Sequence, residues 1–331
     1  MRQPDFDQLR RVLNRERPER PTLFEFFLNG PLYEELAGEP LPEPDRAADR
    51  NRVLIRAFQQ AGYDYATIHP PAAFAFAVGA VERKESLSLN AYHSITDRES
   101  LLRFPWPNPD TCDYSLYDRL EKDLPRGMKA IVCGPGGVLE NVIRLVGYDP
   151  LCLMTLEDPN LLMEIFGRVG RLLVRHYEIA ASFPAVGALM SNDDWGFNSQ
   201  TLLSPDDFER YLFPWHRKIV RACHRAGKPV ILHSCGNLEK VMGAITDDIG
   251  YDGKHSFEDK ILPVEEAYER HHSKIAILGG LDLDFVCRKT PAEITARARA
   301  MLVRSADRGA YALGTGNSVP AYTPTLNYFA M

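Results

Sequence analysis

The chain lacks a surplus of basic residues, an apolar run long enough to cross a bilayer, and any cluster of cysteines. Its 39 Lys and Arg against 45 Asp and Glu leave a net charge of −6, which excludes the positive field that nucleic acid recruits. No uninterrupted apolar run approaches the ~20 residues of a membrane span. The opening Met-Arg-Gln-Pro-Asp-Phe-Asp has no apolar signal region. A cytoplasmic protein with neither a membrane nor a nucleic-acid partner is therefore expected. The 6 cysteines, at positions 112, 133, 152, 223, 235 and 287, are too scattered for a disulfide framework and point to reduced thiols. Any special cysteine is then a ligand or a nucleophile. The glycine-rich turn Gly134-Pro135-Gly136-Gly137 has neither the lysine of a nucleotide loop nor dinucleotide-binding spacing, so it reads as a tight turn rather than a phosphate cradle.

What is present is a regular alternation. A chain of 331 residues that is 45% hydrophobic can bury a substantial core. Asp5–Arg17 reads as a polar helix with Phe6, Leu9, Val12 and Leu13 on one side, followed by an Arg/Glu/Pro linker; residues 1–20 are expected to form an N-terminal helical extension. Eight strand candidates follow: Leu23–Phe27, Tyr65–Ile68, Ala130–Cys133, Ala185–Met190, Val230–Leu232, Gly250–Ser256, Ile275–Leu278 and Tyr311–Leu313. Amphipathic helical patterns separate them, clearest at Leu161–Ala181 and after the capping signals Ser204-Pro205-Asp206-Asp207 and Thr290-Pro291-Ala292-Glu293. Pro214 is expected to bend or break the helix it interrupts. Residues of about 72–128, with an alternating piece Ser86–His93 and Trp106-Pro107-Asn108-Pro109, read as an insertion. The expectation is an α/β fold: a single-domain (β/α)8 TIM barrel over residues 21–331.

In such a barrel the chemistry sits at the C-terminal strand ends. Those ends carry Asn29, His69, Cys133, Asp193, Asp194, His233, Cys235, His255, Glu258, Asp282 and Asn317. In Val230-Ile231-Leu232-His233-Ser234-Cys235-Gly236, an imidazole and a thiol stand two residues apart, on one face of a strand end. That pair suits a soft divalent metal, zinc first; a buried cysteine beside a capping histidine is the plain alternative.

Several stretches resemble the uroporphyrinogen decarboxylase superfamily, within it the cobamide methyltransferase-like members. They are Ser191-Asn192-Asp193-Asp194-Trp195-Gly196, Leu203-Ser204-Pro205 with Phe213-Pro214, Leu232-His233-Ser234-Cys235-Gly236-Asn237, Gly279-Gly280-Leu281-Asp282, Thr290-Pro291-Ala292-Glu293, and Gly314-Thr315-Gly316-Asn317 followed by Pro324 and Asn327. The resemblance implies a barrel, frequently a homodimer. The decarboxylases carry an arginine-rich segment after their first strand to pair with substrate carboxylates. Here Phe26-Phe27-Leu28-Asn29-Gly30-Pro31-Leu32-Tyr33-Glu34-Glu35 has no arginine, which disfavours a substrate bearing many carboxylates.

In the methyltransferase branch the His-x-Cys pair binds zinc with a further cysteine from a Gly-Cys-Gly turn, where this chain has Gly314-Thr315-Gly316-Asn317. Glu258 is taken as the replacement ligand beside His233 and Cys235, with His255 behind it as a partner or proton donor. Asp193 and Asp194 are expected to orient substrate or take up protons. Asn29, His69, Asp282 and Asn317 are expected at the substrate, and Cys287 in the core. The implied activity is zinc-assisted methyl transfer on a small methylated or thiol substrate, with a corrinoid (methylcobamide) supplied by a partner protein. A metal-free carboxy-lyase acting on a tetrapyrrole or smaller acid, and a silent barrel that partners a corrinoid protein, are the alternatives.

Overall fold

A computed structural model describes residues 2–76, 88–90 and 93–331. Half of the alternating piece Ser86–His93, residues 86, 87, 91 and 92, lies outside the described residues. Among the described residues seven strands form one all-parallel sheet in chain order: β1 Tyr65–Ile68, β2 Lys129–Cys133, β3 Val186–Asn192, β4 Val230–His233, β5 Gly253–His255, β6 Ala276–Leu278 and β7 Tyr311–Ala312. Helices connect successive strands, as parallel pairing requires. The strand interiors are buried and mostly apolar, with Thr67, Ser191 and Lys254 the polar exceptions, as a sheet covered on both faces favours. The architecture is α/β, TIM-barrel-like, with one continuous core. Among the described residues no helix is long and apolar enough to cross a membrane.

The expected first strand, Leu23–Phe27, is reduced to a single parallel bridge between Leu23 and Leu313, so the sheet has seven strands where eight were expected. The cause is local. Phe24 N–H donates to Leu313 O at 2.8 Å and Leu313 N–H to Thr22 O at 2.8 Å. On the other side a phenol substitutes for a strand backbone: Tyr65 Oη accepts from Glu25 N at 2.7 Å and donates to Glu25 O at 2.6 Å. The segment is thus held between β7 and β1 without a ladder to β1.

Other expectations shift by a few residues. β3 runs on to Asn192, and β5 begins only at Gly253 because Gly250 adopts a left-handed conformation (φ 81°) that ends the preceding helical turn. Pro214 sits in the first turn of helix Phe213–Arg225, immediately after a π-helical turn at Phe208–Leu212. That turn absorbs the break in hydrogen bonding that the proline imposes.

The N-terminal helix spans Phe6–Leu13, shorter than the Asp5–Arg17 pattern, and its Leu9, Val12 and Leu13 are fully buried. It packs beneath the sheet. A Cβ at Gly187 would lie 2.6 Å from the Phe6 ring, and one at Gly253 2.8 Å from Leu13 Cδ2. The absence of side chains near the starts of β3 and β5 is what admits this plug. Between β1 and β2 the described part of the expected insertion holds helices Arg98–Arg103 and Ser115–Asp123.

Candidate metal centre

Parallel register sets the site. Asn192 pairs with His233 and His233 with His255, so β3, β4 and β5 end level with one another. The loop after β3 is then pressed onto the loop after β4. Gly236 has φ +90°, and a Cβ there would lie 2.2 Å from the main chain of Gly196, so only glycine permits the approach. Cys235 N–H donates to Asp194 Oδ1 at 2.8 Å, and Trp195 N–H to Ser234 Oγ at 3.1 Å. As a result a carboxylate oxygen of Asp194, a ring nitrogen of His233 and the Cys235 sulfur lie within 4.8 Å of one another.

The hydrogen bonds assign the tautomers. His255 Nε2 lies 3.1 Å from Thr315 O, which only accepts, so Nε2 carries a proton. His255 Nδ1 is 2.8 Å from His233 Nδ1. Burial holds His255 down at about 3 and His233, with His255 as a further cause, well below the ordinary imidazole range, so both rings are neutral at pH 7. His255 Nδ1 therefore accepts, His233 Nδ1–H donates, and His233 Nε2 is left with its lone pair free for a ligand.

Around Cys235 the order of effects is different. Burial, then the nearby Asp194, pushes the thiol up to about 12, against the lowering effect of hydrogen bonds from Ser256 and Asn317. Asn317 Nδ2 donates to the sulfur at 3.1 Å and Ser256 Oγ at 3.5 Å. Burial likewise raises Asp194. A thiol kept protonated beside a carboxyl whose ionisation burial opposes is what a divalent cation reverses, since the cation's charge favours both anions.

The donor set fits zinc: imidazole, thiolate and carboxylate are its protein ligands, at bonds of about 2.0–2.3 Å. Donors of a tetrahedral ion then stand roughly 3.3–3.8 Å apart, which groups already within 4.8 Å reach by side-chain rotation.

The structure separates the sequence-predicted residues into two sets. At the site stand His233, Cys235 and Asp194, with His255 behind His233 and Asn317 on the Cys235 sulfur. The third donor within reach is Asp194, where Glu258 was expected; Glu258 is half-buried and lines, with Lys254 and Ser256, a cavity of about 30 Å³. The others are bound elsewhere. Asp193 accepts from Leu139 N and Glu140 N, capping helix Val138–Val146, and from His216 Nε2 at 3.0 Å. Asp282 caps helix Leu283–Arg288 and accepts from Asp259 N. Asn29 caps helix Gly30–Ala37 and donates to Pro320 O. These three are occupied by main-chain groups. His69 stacks on Phe27, centroids 4.5 Å apart at 7°, and burial, with Arg50 nearby, lowers it to about 4.

Sequence reasoning named His69 but missed most of the wall beside the centre. A cavity of about 530 Å³ is lined by Phe26, Phe27, His69, Arg50, Asn51 and Asn192, among others. The Phe26 ring lies 4.6 Å from that of His233, and Asn192 is its register partner. Arg50 comes from helix Ala47–Gln60, upstream of β1, where nothing in the linear pattern distinguishes it from a surface arginine. Glu25 was also missed, although an acid inside Phe24-Glu25-Phe26-Phe27 is itself a signal, because a charge among aromatics needs a partner.

A parallel, barrel-like sheet with imidazole, thiol and carboxylate gathered at neighbouring C-terminal strand ends defines a class: α/β proteins whose site is built by the loops above the sheet. The chain belongs to the uroporphyrinogen decarboxylase family, whose model, described as Uroporphyrinogen decarboxylase (URO-D), matches residues 117–331. A curated relative, uroporphyrinogen decarboxylase from Carboxydothermus hydrogenoformans, is 28% identical over 178 residues, 52% of this chain and 46% of that protein. The match thus spans about half the length of that relative. Among solved structures, a methyltransferase from Methanosarcina mazei superposes with a TM-score of 0.72 at 15% identity, covering 98% of this chain and 95% of that one. At that identity the likeness concerns the fold.

Proposed function

We propose that the chain is a zinc-assisted, corrinoid-linked methyltransferase acting on a small methylated or thiol substrate. The observation that carries this reading is the meeting of Asp194, His233 and Cys235; these three residues would hold the metal. Bound there, zinc supplies Lewis acidity and lowers the pKa of a coordinated thiol, so that a nucleophilic thiolate exists at neutral pH. The protein's own residues do the rest. His255 keeps the His233 lone pair directed away from its own ring, and Asn317 and Ser256 stabilise charge on the Cys235 sulfur. Phe26, Phe27 and His69 give the adjoining cavity an apolar wall that excludes water, while Arg50 offers a cationic end for a substrate anion. The corrinoid would come from a separate protein docking over the cup, and the enzyme would act as a homodimer.

A second reading, a carboxy-lyase, is favoured by the family match and by the curated relative. Against it stands charge: the described cavity lining has one arginine, Arg50, whereas a tetrapyrrole with many carboxylates needs several cationic partners. Metal analysis of protein purified without added zinc separates the two. About one zinc per chain is expected, and loss of it in His233→Ala. A metal-free wild type, or coproporphyrinogen produced from uroporphyrinogen, overturns the methyl-transfer reading.

A further inference from the structure

One buried group has no part in that scheme. Glu25 is fully buried, and both of its carboxyl oxygens meet Thr315: Oε1 accepts from Thr315 N–H at 2.7 Å, and Oε2 lies 2.6 Å from Thr315 Oγ1. Thr315 Oγ1 is also 2.6 Å from Asn317 O. A hydroxyl has one proton, and the Asn317 carbonyl can only accept. If the hydroxyl donates to Asn317 O, the Glu25–Thr315 contact needs a proton on the acid, so that Glu25 Oε2–H donates to Thr315 Oγ1. Burial raises Glu25 to about 8, which agrees.

From Thr315 two arms lead outward. Its carbonyl accepts from His255 Nε2–H at 3.1 Å, and His255 Nδ1 accepts from His233 Nδ1–H at 2.8 Å. Its hydroxyl holds Asn317 O, while the amide of that same asparagine donates to Cys235 Sγ at 3.1 Å. The turn cannot slide. A Cβ at Gly314 would lie 1.7 Å from Phe24 O, and one at Gly316 2.1 Å from Phe257 O.

We propose that Thr315, gripped by the buried Glu25 in its acid form, is the positioning residue of the centre, fixing the His233 imidazole through His255 and the Cys235 sulfur through Asn317. This rests on the reading of Asp194, His233 and Cys235 as the metal site. Asn317, standing where the family resemblance implies a third thiolate, then works through the sulfur of Cys235 rather than on the metal.

The test is zinc affinity, measured by competition with a chromophoric chelator on the full chain. Thr315→Val keeps the backbone arm and loses the hydroxyl arm, and should weaken zinc binding about 10- to 100-fold; Thr315→Ser should restore it. Glu25→Gln can present an oxygen to Thr315 N–H and an N–H to Thr315 Oγ1, as the protonated acid does, and should bind zinc as wild type does. Unchanged affinity in Thr315→Val, or a loss in Glu25→Gln as large as in Thr315→Val, overturns the proposal. Nitrogen chemical shifts of the imidazoles in metal-free protein keep the two readings apart. His233 protonated on Nδ1 and His255 on Nε2, in a wild type that takes up no zinc, would sink the metal reading while supporting the imidazole arm. The opposite tautomers would sink the arm.

Discussion

A carboxyl group as completely buried as that of Glu25 is stable only if it is neutral or fully paired, and the proton on Glu25 has a consequence for stability that can be measured. Its pKa of about 8 in the fold stands above the ordinary 4.5 of the unfolded chain. Below pH 4.5 both states hold the proton and nothing is lost. As pH rises from 4.5 to 8 the unfolded state releases its proton and the folded state does not, so stability falls, by up to the order of 5 kcal/mol once pH passes the folded value. Glu25→Gln has no such proton. Urea unfolding of the two proteins should therefore agree near pH 5 and diverge in favour of Glu25→Gln by pH 8.5; parallel pH profiles would mean that Glu25 is ionised in the fold. At this scale much of the candidate donor cluster was legible. His233 and Cys235 announce themselves by spacing, and Asp194 by its place at a strand end. That Asp194 and not Glu258 completes the trio was not legible, because two main chains meeting at Gly196 and Gly236 decide it. Asp193, its neighbour, reads the same in sequence and instead caps a helix.

The loops after β3 and β4 form the unit that makes the site, and their contact depends on one missing Cβ. Gly236→Ala places a methyl 2.2 Å from the Gly196 main chain in a left-handed conformation (φ +90°) that alanine resists. The loops should part, drawing Cys235 N–H from Asp194 Oδ1 and opening the donor cluster. The expected result is a fall in zinc affinity of at least about tenfold, with far-UV circular dichroism and the main unfolding transition little changed. Retained zinc affinity would show that the cluster does not depend on this contact. Helix starts at Ser204 and Thr290 follow capping chemistry and could be read directly from the residues. Strand ends could be placed only within a few residues, because β3 reaches Asn192 by pairing with β4, a long-range fact. The turn at Phe208–Leu212 left no separate mark beyond Pro214.

At the scale of the molecule, periodicity led to eight equivalent strands, and the described residues form seven, with Leu23 bridged to Leu313 in place of the eighth. Apolar character fits Leu23–Phe27 to a strand; what sequence cannot show is that Tyr65 occupies the side where a ladder to β1 would form. That hydroxyl both donates to Glu25 O and accepts from Glu25 N–H, so a single oxygen serves two buried main-chain groups. Tyr65→Phe keeps the ring and its packing but leaves both groups unpaired. At about 1–3 kcal/mol for each buried unsatisfied group, a loss on the order of 2–6 kcal/mol in unfolding free energy is expected. The same substitution loosens the segment that carries Glu25, on which Thr315 is anchored. Zinc affinity should therefore fall along with stability, whereas an equally destabilising change in the helix beneath the sheet, such as Leu13→Ala, should leave zinc affinity near wild type. Measuring both variants by denaturation and by chelator competition distinguishes a centre tied to the β7–β1 junction from one that only follows global stability. Equal losses of zinc affinity in Tyr65→Phe and Leu13→Ala would show the latter, and wild-type affinity in Tyr65→Phe would show that the centre follows neither.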